Sequence, residues 1–216
     1  MRLVGHTPVR PDSPTWVRFE SALNRSLAGL RGHLLCPYDR ATLPAETVLT
    51  AGRTHPRVLD GGWSDSAGYQ PPELLLAELP ETPYPVTGPP VIAVPVRDTV
   101  ADLRDLVRRR ATAEDWLTAE RVESLILALS EIATNAIRHG GDKRELVVWL
   151  TGEAVVCEVT DDGAAVPGPL AAYLPPQPGV IGGMGLWLVQ QVCDALSVRA
   201  RDGLTQARFA LLRNLT

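Results

Sequence analysis

The sequence predicts an α/β protein whose larger, C-terminal part is a two-layer sandwich, with helices on one face of a mainly antiparallel sheet. Three observations predict it. Segment 119–139 places Val122, Leu125, Ile126, Leu129, Ile132, Ala133, Ala136 and Ile137 on one stripe at a 3.6-residue period, the pattern of a helix with one buried face. Two β-rich runs, 145–150 and 154–160, flank Thr151-Gly152-Glu153, a turn suited to an antiparallel hairpin. Two further strands, near 196–200 and 206–212, close the chain, and elements of these two kinds bury their apolar faces against each other.

Each element can be justified in chain order. Ser13-Pro14 supplies an N-cap and first residue for a helix carrying Trp16, Phe19, Leu23 and Leu27 at spacings of three and four. A short apolar strand at 33–36 is ended by Pro37, and a helix over 43–51 is closed by Gly52. The stretch 79–90, LPETPYPVTGPP, is dense in proline and has neither helical nor strand periodicity, so it reads as an extended linker. It divides the chain into a small N-terminal α/β segment, 1–78, and a domain over 91–216. In that domain a strand at 91–96 leads to a helix capped by Asp98 or Thr99 and carrying Leu103, Leu106 and Val107. The long helix stops at Gly140-Gly141, and a proline-rich loop over 167–183 precedes a helix at 186–194.

Composition narrows the function classes. With 45% hydrophobic and 21% charged residues the chain has enough apolar surface for a core, which excludes general disorder. A formal charge of −4, without a run of Lys or Arg, argues against nucleic acid and acidic membrane surfaces as partners. Cys36, Cys157 and Cys193 are odd in number, far apart and in no CxxC or Cys/His finger spacing, which indicates neither a disulfide framework nor a structural zinc site and fits a reducing compartment. Residues 163–193 carry no charge, yet their prolines would break a spanning helix, and the polar N-terminus lacks the apolar core of a signal peptide. The expectation is a cytoplasmic protein with no membrane association.

Three groups of residues can carry chemistry. Glu131 and Asn135 lie four apart on the long helix, with His139 one turn further on. A carboxylate and a carboxamide stacked in this way can polarise a hydroxyl and hold Mg²⁺ through oxygen, or can be a solvated helix face. Val159-Thr160-Asp161-Asp162-Gly163 ends a strand, where Asp161 can accept a hydrogen bond from an adenine amino group and Gly163 can let the base approach; the same residues also suit a plain turn. Gly182-Gly183-Met184-Gly185-Leu186-Trp187 is a glycine-rich entry to a helix, able to offer backbone N–H groups to phosphates or simply to start a core helix. It is neither a GxxxxGK[ST] loop nor a dinucleotide-binding fingerprint.

In this order the three elements resemble the Bergerat-type (GHKL) ATP-binding domain. ALSEIATNAIRHGG, VTDDG and GGMGLWLVQQVCD are most similar to the anti-sigma factor serine kinases, over roughly 91–216. The resemblance implies ATP and Mg²⁺ as cofactors, Glu131 as the general base or water-orienting carboxylate, and Asn135 as a Mg²⁺ ligand. It also implies that Asp161 reads adenine, that Gly163 lets the base approach, that Gly183 and Gly185 wrap the phosphates, and that Thr205, in a closing Gly203-Leu204-Thr205 turn, supports the adenine contact. His139 and Leu186 complete the implied nucleotide site, and Arg104 in LRDLV would face a sigma factor. The implied activity is phosphorylation of a STAS-type anti-sigma antagonist on serine, with sequestration of the sigma factor and a possible homodimer. The sequence departs from the pattern at Ala165, where relatives carry glycine, at Met184, often basic, and in the uncharged loop between them. These departures leave room for a kinase-inactive partner-binding scaffold of the same fold. A histidine kinase catalytic domain is disfavoured, because no long dimerisation helix with an embedded His precedes residue 91.

The N-terminal segment, through FESALN, LLCPYD and RTHP, resembles the latter part of the MEDS sensory domain, in truncated form. His33, Cys36, Asp39 and His55 can be read as zinc ligands, although their spacing matches no standard site and a Cys between apolar residues is often a small core residue. Trp63 and Tyr69, flanked by glycines, would either line a sensory pocket or cover the core edge.

Overall fold

A computed structural model describes residues 2–4, 14–27, 33–97, 99–163, 167–175 and 183–213. The chain forms two compact units, Met1–Pro80 and Glu81–Thr216.

The N-terminal unit runs β1 (Arg2–Val4), α1 (Pro14–Leu27), β2 (His33–Leu35), α2 (Ala45–Thr54), β3 (Arg57–Leu59), β4 (Trp63–Asp65) and α3 (Pro72–Glu78). β1 and β2 pair in parallel, β3 and β4 form a small hairpin, and the three helices pack together. Helix α1 is where its spacing predicts, but its buried face differs: Trp16 is buried with Glu20, Ser21 and Ala22, while Phe19 and Leu23 are only partly covered. Helix α2 does not close at Gly52. It continues to Thr54, because the Gly52 carbonyl accepts the Ser66 hydroxyl at 2.6 Å and the helix ends only where Pro56 cannot extend it. Trp63 covers no core; it is 48% exposed, with the Arg57 guanidinium 4.9 Å from its ring centroid.

The C-terminal unit runs β5 (Ile92–Pro95), α4 (Ala101–Ala113), α5 (Ala119–His139), β6 (Arg144–Leu150), β7 (Ala154–Asp161), α6 (Met184–Val192), β8 (Ala195–Arg201) and β9 (Leu204–Leu212). The strands form a five-stranded sheet of order β5-β6-β7-β9-β8 in which every neighbouring pair is antiparallel. The expected α/β sandwich is therefore observed. Alternation along the strands decides its layers: Leu146 and Val148, Val155, Cys157 and Val159, and Ala207, Phe209 and Leu211 point into one core with the apolar stripe of α5. Phe209 is wholly buried there, and truncation of such a ring to alanine costs about 3–5 kcal/mol.

The opposite face of β7 and β9 is also covered. Ala154, Val156 and Ala210 pack with Trp149, Tyr84 and Val86, so part of the proline-rich stretch is a strap on the outer face of the sheet. Arg208 ties it down, donating from Nη1 to the Tyr84 carbonyl at 3.0 Å while its Nη2 lies 2.7 Å from Glu158 Oε2. Extended, proline-fixed backbone suits this task, since it lies flat and loses little entropy on docking.

Several boundaries shift from those expected. Helix α4 starts at Ala101 after Val100, with no side-chain cap from Thr99, and Asp98 lies outside the described residues. Helix α6 begins at Met184 and ends at Val192. Thr205 is not in a turn: the turn is Asp202-Gly203, whose φ values of 54° and 77° are the positive pair that a two-residue hairpin needs, and Thr205 is the second residue of β9.

Candidate functional site

Strand register builds the floor of the site. β7 ends at Asp161 and β9 begins beside it, so Asp161 is paired with Thr205, Val159 with Ala207, and Ala207 with Val198 of β8. Asp161 has the same parity as Val155, Cys157 and Val159 and therefore faces the helical layer. There the floor is apolar except at its edge, where a carboxylate and a hydroxyl stand side by side.

Helix α5 forms one wall. Ile132, Asn135, Ala136 and His139, at spacings of three, one and three, present one stripe to a cavity of about 250 Å³. The start of α6 adds Gly183, Gly185 and Leu186, and Pro167 and Ala171 close another side. Val159, Val198 and Ala207 lie beneath, with Asp161 and Thr205. Asn135, His139, Asp161, Gly183, Gly185, Leu186 and Thr205, widely separated in sequence, thus line one cavity.

Asp161 is held with care. It is 8% exposed, and its Oδ1 accepts the Gly163 N–H at 2.9 Å. Burial pushes its carboxyl above the usual carboxylate range and Asp162 adds to this, while the N–H groups of Gly163 and Gly141 and the Arg144 guanidinium oppose it. Thr205 Oγ1 donates to the Gly163 carbonyl at 3.1 Å, fixing the backbone just past Asp161.

Glycine serves this site chiefly by proximity. A Cβ on Gly163 would stand 2.6 Å from Gly140 Cα, so the missing side chain lets the strand end dock on the end of α5. Gly140 and Gly141 answer from the other side, where a Cβ would meet Asp161 and Asp162. At the start of α6 the two glycines differ: Gly183, at φ 79°, needs the left-handed region, while a Cβ on Gly185 would stand 2.7 Å from Glu131 Oε2 and 3.4 Å from Asn135 Nδ2. Glu131 does not line the cavity; its carboxylate lies one turn back along α5, against the first turn of α6.

Arg104 is on the exposed side of α4 and lines no part of the cavity. Met184 is 49% exposed as the first residue of α6, and Ala165 and Gly182 lie outside the described residues. Sequence reasoning missed Gly140, Asp162 and Arg144. Asp162 Oδ1 accepts the Lys143 N–H at 2.9 Å, and Arg144 donates to the Ile137 carbonyl at 3.3 Å, so both lock the turn between α5 and β6 that Asp161 leans on. The signal was present in Gly140-Gly141, read only as a helix stop.

Residues 96–211, more than half of the chain and all of this cavity, match the histidine kinase-like ATPase domain. The chain belongs to that family. No curated protein matches it. Histidine kinase-like ATPase domains bind ATP, usually with Mg²⁺, and the residues here fit both. A mainly apolar cavity with one buried carboxylate in its lining suits a base that carries an amino group. The start of α6 is a helix N-terminus, whose first N–H groups have no partner within the helix and can face phosphate, and the carboxylate of Glu131 and the amide oxygen of Asn135 are ligands of the kind Mg²⁺ takes. A histidine kinase-like ATPase domain is a module for ATP-dependent phosphotransfer, and among the described residues no helix is long and apolar enough to cross a membrane.

Proposed function

We propose that the protein is an ATP-binding anti-sigma regulatory factor that phosphorylates a STAS-type antagonist on serine and sequesters a sigma factor through the surface around Arg104. The observation that carries the nucleotide half of this reading is the pairing of Asp161 with Thr205 across adjacent strands on an otherwise apolar floor. The likeness of ALSEIATNAIRHGG, VTDDG and GGMGLWLVQQVCD to anti-sigma kinases supports the rest.

In this reading Asp161 accepts the amino group of adenine, and the Thr205 bond to Gly163 keeps that carboxylate in place. Asn135 would hold Mg²⁺, which neutralises charge on the phosphates when bound. The α6 N-terminus, entered through Gly183 and Gly185, receives those phosphates, with Leu186 and His139 at the cavity wall. Glu131, drawn against α6 by the absent Cβ of Gly185, accepts the proton of an attacking serine hydroxyl. The protein would act in the cytoplasm, and a dimer through the ATPase domain agrees with this reading. The N-terminal unit, with its MEDS-like segments, would be the sensory input.

The test is incubation of the purified protein with Mg-ATP and candidate STAS antagonists, with Glu131→Ala and Asp161→Asn alongside. Phosphoserine on an antagonist, lost in Glu131→Ala, is expected. ATP binding without transfer to any antagonist would instead favour the kinase-inactive scaffold, and acid-labile label on the chain itself would favour a histidine kinase.

A further inference from the structure

The N-terminal unit contains a buried polar cluster that the ATPase site does not use. Glu20 on α1, Cys36 just after β2 and His55 at the end of α2 bring a carboxylate oxygen, a thiol sulfur and an imidazole nitrogen within 4.8 Å of one another. These residues come from FESALN, LLCPYD and RTHP, three segments distant in sequence that the fold draws together. We propose that Glu20, Cys36 and His55 bind a divalent cation of the zinc class, with one coordination position left open.

Four features support the site. The donor set of one thiolate, one imidazole and one carboxylate is chemistry that zinc takes, three protein ligands with an open fourth place being its usual non-structural arrangement. The imidazole is already oriented: Nδ1 lies 2.9 Å from the Ala51 carbonyl and 2.8 Å from Thr54 Oγ1, which leaves Nε2 facing Glu20 Oε2 at 3.2 Å. A backbone carbonyl on Nδ1 selects the tautomer whose Nε2 lone pair can bind metal. Glu20 is 1% exposed, and its Oε1 is buried near Tyr38 and Trp16 without a hydrogen bond of good geometry among the described residues. Tyr38 also stacks edge-on against His55 at 5.7 Å and against Trp16 at 5.9 Å, walling the cluster in aromatic rings.

Asp39, one of the ligands expected from the sequence, is exposed and caps Ala41 N–H at 2.9 Å, while the side chain of His33 lies outside the described residues.

Cobalt(II) titration of the reduced full-length protein tests the site, because thiolate ligation gives a charge-transfer band and tetrahedral coordination gives intense visible bands. One equivalent bound with a thiolate band, displaced by zinc, absent in Cys36→Ser and His55→Gln and kept in Cys193→Ser and Asp39→Asn, is expected. The absence of a thiolate band in the wild-type protein, or its survival in Cys36→Ser, would overturn the proposal. Should the variants fail to fold, zinc must protect Cys36 in the wild-type protein from alkylation while leaving Cys193 unchanged, and equal labelling with and without zinc would overturn it.

Discussion

Thr205 Oγ1 donates to the Gly163 carbonyl at 3.1 Å, a bond across 42 residues that joins the start of β9 to the backbone just past Asp161. Through this backbone bond the hydroxyl holds the chain beside Asp161, so in the proposed reading its effect is positional. Thr205→Val keeps the shape and leaves the Gly163 carbonyl unpaired, at an expected cost of about 1–2 kcal/mol in stability. ATP affinity should fall with it, and Thr205→Ser should restore both. Urea unfolding and calorimetry of the three proteins check this.

In the proposed reading Asp161 accepts a hydrogen bond from the adenine amino group, and Asp161→Asn removes the charge from that acceptor. A hydrogen bond to an ionised group contributes about 1.5–3 kcal/mol, so ATP should bind roughly 10- to 150-fold more weakly. The fold should survive, because burial already penalises the charged form of Asp161. Unchanged affinity in isothermal titration would exclude Asp161 as the base-reading residue.

The same carboxylate predicts a pH dependence. Its pKa in the folded protein lies above the usual value, chiefly through burial. In the proposed reading the ionised form is the stronger acceptor for the amino hydrogen bond, so affinity should be full above that raised pKa and fall below it toward the level of Asp161→Asn. For folding the sign is opposite: the contribution of Asp161 to stability is present below its unfolded pKa and is lost as pH rises through the folded value. ATP affinity measured down a pH series should therefore decline on acidification in the wild type and stay flat in Asp161→Asn.

Gly163 and Gly185 should respond differently to alanine. At Gly163 the new Cβ meets Gly140 backbone at 2.6 Å, which cannot move without shifting α5, so a loss of about 1–3 kcal/mol is expected. At Gly185 it meets the end of the flexible Glu131 side chain at 2.7 Å, which can rotate away. In the proposed reading Gly185→Ala should melt close to the wild type yet lose phosphotransfer, because it displaces Glu131. Thermal unfolding beside a transfer assay separates the two.

Arg208 and Glu158 sit opposite each other on β9 and β7, nearly buried, with the Arg208 guanidinium 5.3 Å from the Trp149 ring centroid. Removing one partner strands the other charge beneath the strap. Arg208→Met should cost about 3–5 kcal/mol, and the double variant with Glu158→Leu should recover most of that loss. Denaturant midpoints of the single and double variants decide it.

The long helix, the hairpin and the order of the three motifs were legible in the sequence because they rest on local signals: the apolar stripe of 119–139 and the β-rich run of 154–160 with its flanking turn. The glycines were legible as glycines but not in their roles. Whether one supplies a positive φ, as Gly183 does, or an absent Cβ, as Gly163 and Gly185 do, depends on what stands opposite, and for Gly163 that is residue 140.

By itself the sequence determined the α/β class, the antiparallel pairing and the residue types that can hold a nucleotide, since each follows from neighbours along the chain. Tertiary structure alone decided that Asp161 would stand beside Thr205, that Tyr84 and Val86 would cover a sheet face, and that Glu20 would join Cys36 and His55. Those contacts span from tens of residues to more than a hundred, and their partners are chosen by strand register and helix packing, which act through space and leave no period in the sequence.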